Sequence, residues 1–519
     1  MTGRSKRLER LWRPGTLRFI AWAGVITALV LGLGVVEIEA RPGGGESFGR
    51  PGGGGGGGGD DGLISLLIHL WIEIVFRYPA FGVPATVVLL FLIGRIRAAQ
   101  AQSSTETWDS APSGPPPAPP PRRHYDFDEL RQIDGHFSPV LFDDFAYALF
   151  AKAHEARNHP KALDALAPYL SESVRGHLAN REPRGAEVSR VLVGAMRLTF
   201  LEVPSPPNTG DVRVHLGFEA NLSLRAPNGA AVTRYVRERW LLRRRGDAQS
   251  RPPEAQRDFG CPNCGAPYQA TADQRCGYCQ QIVTDGRFDW TVDQIVLIER
   301  RDRPPSLRGV VPEVGTHLPT IYQPGLESKI RDFFGESATQ TGGAVEAFSR
   351  RFGLIFWDLN AAWSELDLAK ARPYLSDGLF DYLHFWTEAY RVQGLRNVLD
   401  GFAVRRWEFA KITRDRHYDA VTIRFWASGR DSTVEVATGR VVGGDPHRQR
   451  PYSEYWTFIR SRRAEGELSA ASAERRCPNC GAAHDINMAG VCTHCDTKIT
   501  RGDFDWVLSK IEQDEAYGG

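Results

Sequence analysis

The chain has 519 residues with 64 basic and 62 acidic side chains. That near-neutral balance excludes the electrostatic footprint of a dedicated nucleic-acid binder. The length allows about three or four domains. All eight cysteines fall into two metal-ligand sets. Those sets must stay reduced, so the part that carries them is expected in a reducing compartment.

In chain order, residues 1–18 carry Arg4, Lys6, Arg7, Arg10, Arg13 and Arg18 against one acid, Glu9. Residues 19–36 are uncharged and just long enough to span a bilayer. A cleaved signal peptide ending near Ala40 is the rival reading. A Gly-rich loop over 37–62 follows, with eight glycines in a row at Gly52 to Gly59. Residues 63–94 are apolar again. We read 63–76 as an interfacial amphipathic helix and 78–96 as the span, or the whole as one tilted, kinked helix. The loop is acidic, with Glu37, Glu39, Glu46, Asp60 and Asp61, whereas Arg95, Arg97, Arg122 and Arg123 follow the second segment. By the positive-inside rule both ends are cytoplasmic. Residues 1–97 are thus expected to form a membrane region. A Pro-rich linker over 98–124 holds the rest away from the bilayer.

A repeated α+β unit comes next. In the first copy, residues 125–300, Phe142, Phe145, Leu149 and Ala153 sit at helical steps. A second helix is expected to include 166–171 and 174–178. The period then switches to two, with Val212, Val214, Leu216, Phe218, Ala220, Leu222 and Leu224 alternating along one long antiparallel strand. Flanking strands are expected at 191–203 and 232–245. Helices followed by a curved antiparallel sheet make an α+β fold.

The second copy spans 326–516, after a linker over 301–325. Val345, Phe348, Phe352, Ile355 and Leu359 repeat the helical stripe, and Val421, Ile423, Phe425 and Ala427 the long strand. Pro373-Tyr-Leu-Ser376 echoes Pro168-Tyr-Leu-Ser171. Glu238 and Trp240 map onto Glu454 and Trp456; Gly286, Phe288, Asp289 and Trp290 map onto Gly502, Phe504, Asp505 and Trp506. The two alignments differ by eleven residues, which we place at 436–450.

Each copy also contains Cys-Pro-Asn-Cys, eleven residues, and a second Cys-x-x-Cys. These are Cys261, Cys264, Cys276 and Cys279, then Cys477, Cys480, Cys492 and Cys495. Identical spacing twice points to two structural zinc ribbons, at 259–286 and 475–502, because four thiolates leave no open coordination position for water. Gly265 and Gly481 are free to take positive φ behind the second sulfur. His484 and His494 lie beside a complete ligand set and read as surface residues.

These residues resemble the Tim44-like domain family, the C-terminal domain of the mitochondrial import-motor anchor, which also occurs in bacterial membrane proteins. The resemblance rests on Pro168-Tyr169-Leu170, Glu238-x-Trp240 and Trp290-x-x-x-x-Ile295, and on Pro373-Tyr374-Leu375, Glu454-x-Trp456 and Trp506-x-x-x-x-Ile511. It implies a cone like nuclear transport factor two, helices packed on a curved sheet. In that family the Glu-x-Trp strand forms a hairpin with the Trp-x-x-x-x-Ile strand. The ribbons are therefore expected as insertions at its tip.

Period two places Glu238 on one face with Trp240 and Leu242, and Glu454 with Tyr452, Trp456 and Phe458. A carboxylate there is either a general base in a conical pocket or a buried acid held by a hydrogen bond or an arginine. The structural reading is preferred, because no second polar partner recurs in both copies. Arg243-Arg-Arg245 and Arg460, Arg462 and Arg463 end the same strand. They are solvated strand ends, or contacts to anionic lipid or RNA. The expectation is a non-enzymatic, membrane-anchored scaffold that binds lipid and a protein or peptide. The rivals are an enzyme or small-ligand carrier using Glu238 or Glu454, and a nucleic-acid binder using the ribbons and arginines.

Overall fold

The computed structural model describes residues 125–206, 210–256, 259–302, 315–335, 343–464, 476–483, 486–514 and 517–519. The expected membrane region, 1–97, and the Pro-rich linker lie outside the described residues. Among the described residues no helix is long and apolar enough to cross a membrane.

Two lobes follow one plan. The first has helices α1 (Asp128–Ile133), α2 (Pro139–Ala156), α3 (Pro160–Ala165) and α4 (Glu172–Ala179), then strands β1 (Glu187–Glu202), β2 (Asp211–Arg225), β3 (Ala231–Arg245) and β4 (Thr291–Asp302). The second has α5 (Leu326–Phe334), α6 (Gly343–Ser364), a 3-10 turn (Leu368–Tyr374), α7 (Asp377–Val392), and β5 (Leu395–Arg414), β6 (Tyr418–Glu435), β7 (Val441–Ser461) and β8 (Val507–Gln513). Each sheet is an antiparallel meander in sequence order, β1-β2-β3-β4 and β5-β6-β7-β8. The α+β class with antiparallel sheets is as the sequence implied.

The period-two stripe explains the packing. Val212, Val214, Leu216, Phe218, Ala220 and Leu222 are all within 1% of full burial, and the apolar stripe of α2 closes over them. Phe150 lies 4.5 Å from Phe218 and 5.0 Å from Trp240, centroid to centroid. In the second lobe Phe356 meets Phe425 and Trp456 at 5.6 and 5.9 Å. Register matches as well: Glu238 faces Phe218 and Trp240 faces Ile295, as Glu454 faces Phe425 and Trp456 faces Ile511.

The repeated Pro-Tyr-Leu-Ser is not α-helical: in the second copy Pro373 and Tyr374 end the 3-10 turn. Its leucine pairs in parallel with the last strand, Leu170 with Val292 and Leu375 with Leu508. The serine donates its N–H to the same strand, at 3.0 and 2.9 Å. Its hydroxyl then caps the next helix, accepting from Val174 and from Leu379, both at 3.4 Å. The expected single helix over 166–178 is thus broken at this stretch, because those backbone groups bond to the sheet. The extra length of the second copy extends beyond 436–450: β6 and β7 are both longer than β2 and β3, and their hairpin closes at Val434–Val441.

The glycine of Gly-x-Phe-Asp-Trp closes the β3–β4 and β7–β8 connections. Gly286 and Gly502 have φ of 79° and 78°. Their carbonyls accept the N–H of Arg245 and of Ser461, each at 2.9 Å. A Cβ on Gly502 would sit 3.0 Å from Arg460 Cα and Ile459 O. Gly502→Ala should cost at least about 1–2 kcal/mol from the left-handed backbone alone, read as a lowered urea midpoint at unchanged slope.

The lobes touch each other. Lys510 pairs with Asp143 and Arg131 donates to the Arg414 carbonyl. Leu192 packs into the second lobe's core. Residues 315–323 run along the second sheet, where Arg424 donates to Leu318 O at 2.7 Å and Gln323 N–H to Ala410 O at 2.9 Å.

Candidate metal centres and the buried cores

Both cysteine sets lie in the connection between the last two strands of their sheet. In each set the four sulfurs fall within 4.8 Å of one another, and all eight cysteines are free thiols. Cys261–Cys279, Cys477–Cys495 and Cys480–Cys492 measure 3.7, 3.8 and 3.9 Å between sulfurs. A tetrahedral ion with bonds of about 2.3 Å needs sulfurs about 3.8 Å apart. The donor set therefore fits one tetrahedral thiophilic ion per lobe.

The knuckles are built as the sequence implies. Gly265 and Gly481 turn with φ of 77° and 73°, and Gln280 and Asp496 take the matching place in the second knuckle at 59° and 55°. Gly265 and Gly481 donate their N–H to the first cysteine's carbonyl at 2.8 Å. The apolar support is small. Among the described residues, Ala167, Tyr268 and Val283 are buried with Cys261 and Cys276, and Ile499 with Cys477 and Cys492. Each knuckle also docks on its lobe. Tyr169 Oη donates to Gly260 O at 2.9 Å. In the second lobe Arg372 Nε donates to Met488 O at 2.8 Å. His484 lies outside the described residues.

The other candidates, Glu238, Trp240, Glu454 and Trp456, are all buried in the cores. In each lobe the indole N–H donates to the carboxylate two residues earlier: Trp240 to Glu238 at 2.8 Å and Trp456 to Glu454 at 2.9 Å. Beyond that the lobes diverge. Glu238 also pairs with Arg181, beyond the end of α4, and His154 Nε2 of α2 lies 3.4 Å away. Burial alone would raise the Glu238 carboxyl. His154, Arg181 and the Trp240 indole outweigh it and hold the carboxyl well below the usual range. Burial pushes the His154 imidazole down against the pull of Glu238.

His154, Arg157 and Arg181 are the residues that sequence reasoning missed. His154 follows directly on Ala153 of the apolar stripe, four residues after Phe150. A polar residue on such a stripe was the available signal. With the helices matched at Phe150 and Phe356, His154 corresponds to Asn360 and Arg157 to Trp363. With the chains matched at Ser171 and Ser376, Arg181 corresponds to Trp386.

His154 gives a sign to the acid response. The unfolded chain takes up this proton near pH 6.5, the folded chain only at lower pH. Stability is therefore full above that value and falls as pH drops below it, by at most about 1.4 kcal/mol per unit. His154→Asn should flatten the loss between about pH 6.5 and 5 relative to the parent, measured as urea midpoints at fixed ionic strength. A parallel slope in both proteins would refute the assignment.

The basic strand ends are partly engaged within their own lobes. Arg244 is 1% exposed, pairs with Asp134 at 2.9 Å and stacks over Trp290 at 4.8 Å. Arg243 binds Asp293 at 2.7 Å and Arg245 binds Asp247 at 2.7 Å. Arg460 stacks over Trp506 at 4.7 Å, and Arg462 donates to Asp415 O at 3.2 Å. Arg243, Arg244 and Arg460 are thus not plain solvated strand ends, whereas Arg245, Arg462 and Arg463 are exposed.

A family model for the Tim44-like domain matches residues 342–469. That segment runs from α6 through β7 and ends before the second cysteine set. No curated protein sequence matches the chain. Among solved structures, one described as an Ntf2 like protein involved in plasmid conjugation is 10% identical; the match covers 72% of this chain and 96% of that one, with a TM-score of 0.16. Helices α6 and α7 and strands β5 to β7 of the second lobe, within residues 342–469, thus match the Tim44-like domain family that the sequence motifs indicated.

Proposed function

We propose that the protein is a membrane-anchored binding scaffold. Its two lobes, both of Tim44-like, cone-shaped character, stand on the cytoplasmic face of a bacterial inner membrane, and each is locked by one structural zinc. The carrying observation is the Tim44-like match over 342–469, in a lobe whose element order and register the first lobe repeats. Such a domain supports a binding role. Zinc is favoured for the tetrathiolate sites because it accepts four thiolates tetrahedrally and leaves no site for water. Two similar lobes on one anchor would bind a single partner with avidity.

One observation favours a rival. His154 beside Glu238 puts an imidazole and a carboxylate together in the first core, as an enzyme or carrier would need. Chemical cross-linking of the full-length protein in its own membranes, read by mass spectrometry, separates the two. The scaffold reading expects cross-links from both lobes to one protein partner in constant ratio. Cross-links confined to the chain itself, together with a small molecule co-purifying in the first lobe, would replace it with the rival.

A further inference from the structure

The contact between the lobes is a helix of the first on the back of the second sheet. Asp143 and Tyr147 stand one turn apart on the outer side of α2. Asp143 pairs with Lys510 of β8, and the second-lobe charges that act on Tyr147 are Lys510 and Glu512. Lys510 lies in one cross-strand row with Lys411, Thr422 and Thr457. In the next row Ile423 and Trp456 are buried in the core. The pleat therefore turns the row of Lys411 and Lys510 outward.

The repeat places a counterpart of each partner elsewhere on the same chain. With Phe150 matched to Phe356, Asp143, Tyr147 and Ala151 correspond to Ser349, Gly353 and Trp357 of α6. These three recur every four residues and so share one face. Trp357 on that face is 55% exposed. With the sheets in the same register, the row Lys411, Thr422, Thr457 and Lys510 corresponds to Phe200, His215, Leu241 and Gln294. Gln294 is exposed and the other three are half-buried. Tyr125 lies beside Phe200 at one end of this row, 6.0 Å between ring centroids. The second lobe thus presents a helix face, and the first lobe a sheet back, that the contact between the lobes does not use.

These two surfaces match in chemistry as well as in place. Within the chain a carboxylate meets an ammonium. On the unused pair both members are neutral: Ser349 stands where Asp143 does, and Gln294 where Lys510 does. A crossed pairing, α6 on the charged row or α2 on the neutral one, would leave a charge without its partner. Trp357 brings a large aromatic surface to the row that holds Phe200 and Leu241. Gly353 weakens α6, and a Cβ there would meet nothing within 4 Å, so its own lobe does not require a glycine. A second backbone approaching that face would. We propose that the protein self-associates head to tail, with α6 of one copy seated on the back of the first sheet of another. The helix-on-sheet contact that joins the lobes within a chain then continues between chains as a heterologous interface. This goes beyond the scaffold reading and can fail without it, because neither the knuckles nor a different protein partner depends on these surfaces.

The test is sedimentation velocity of the full-length protein, purified without chelator in a mild detergent, over a range of concentrations. The parent should shift to dimers or larger species as concentration rises. Trp357→Glu spoils the helix face and Leu241→Glu the sheet back. Each should weaken association about tenfold or more. Mixed in equal amounts, the two variants should form a one-to-one complex, because each keeps the surface that the other has lost. Should Leu241→Glu not fold, Gln294→Glu, at an exposed position, takes its place. A parent that stays monomeric overturns the proposal, including one whose variants shed a different co-purifying protein from these surfaces. So does association that both variants leave unchanged, and so do variants that fail to complement each other when mixed.

Discussion

Stripping the metal should unfold the β3–β4 and β7–β8 connections and cost more stability than any single change in the cores. Each knuckle buries only a handful of apolar residues, too few to hold its loop without a staple. Apparent binding energies of structural tetrathiolate sites are on the order of 10 kcal/mol, which the apo loop cannot replace. The loss spreads into the lobe through the docking contacts, Tyr169 to Gly260 in the first and Arg372 to Met488 in the second. Cys276→Ser should release one ion and expose residues 259–286 to limited proteolysis, while the second knuckle keeps its metal. Cys492→Ser should do the reverse. Unchanged proteolysis and thermal midpoint after chelation would mean that the knuckles stand without metal.

The second large effect concerns Asp134, which is fully buried and accepts from Arg244 and Ser250 through Oδ2 and from the His136 N–H through Oδ1. Its Oδ2 takes Arg244 and the Ser250 hydroxyl and N–H at 2.9, 2.7 and 2.9 Å. Removing the acid leaves a guanidinium buried against Trp290 with no counter-charge. Asp134→Ala should therefore cost about 3–5 kcal/mol. Replacing both partners, Asp134→Ala with Arg244→Met, should cost clearly less than the sum, because the second change removes the stranded charge. Urea unfolding of the four-protein cycle measures this. Additive losses would show that the two side chains do not act as a pair.

Much of this was legible before any coordinates. Spacing alone located both thiolate clusters, because a tetrahedral site fixes ligand number and loop length. Alternation in 212–224 marked a one-faced strand, since the pleat sends every second side chain inward. The helix break at Pro168-Tyr-Leu-Ser was not legible. Nothing in the local residues says that Leu170 pairs with a strand more than a hundred positions later. Arg243-Arg-Arg245 read as a charge run because a sequence shows charges and not their partners; Asp134 lies far upstream. His154, Arg157 and Arg181 escaped for the same reason. They sit in or beside helices whose stripe looked apolar, and meet only once α2 and α4 close on the sheet. The apolar segments 19–36 and 63–94 lie outside the described residues, so the membrane anchor stands on their length and flanking charge alone.

The most direct single test is native mass spectrometry of the full-length protein, purified without chelator under reducing conditions. The tetrathiolate geometry predicts two zinc ions per chain, falling to one in either cysteine variant and to none in the double variant. A chain that carries no metal, or whose eight thiols prove to be disulfides, would contradict the knuckle assignment on which the two-lobed scaffold rests.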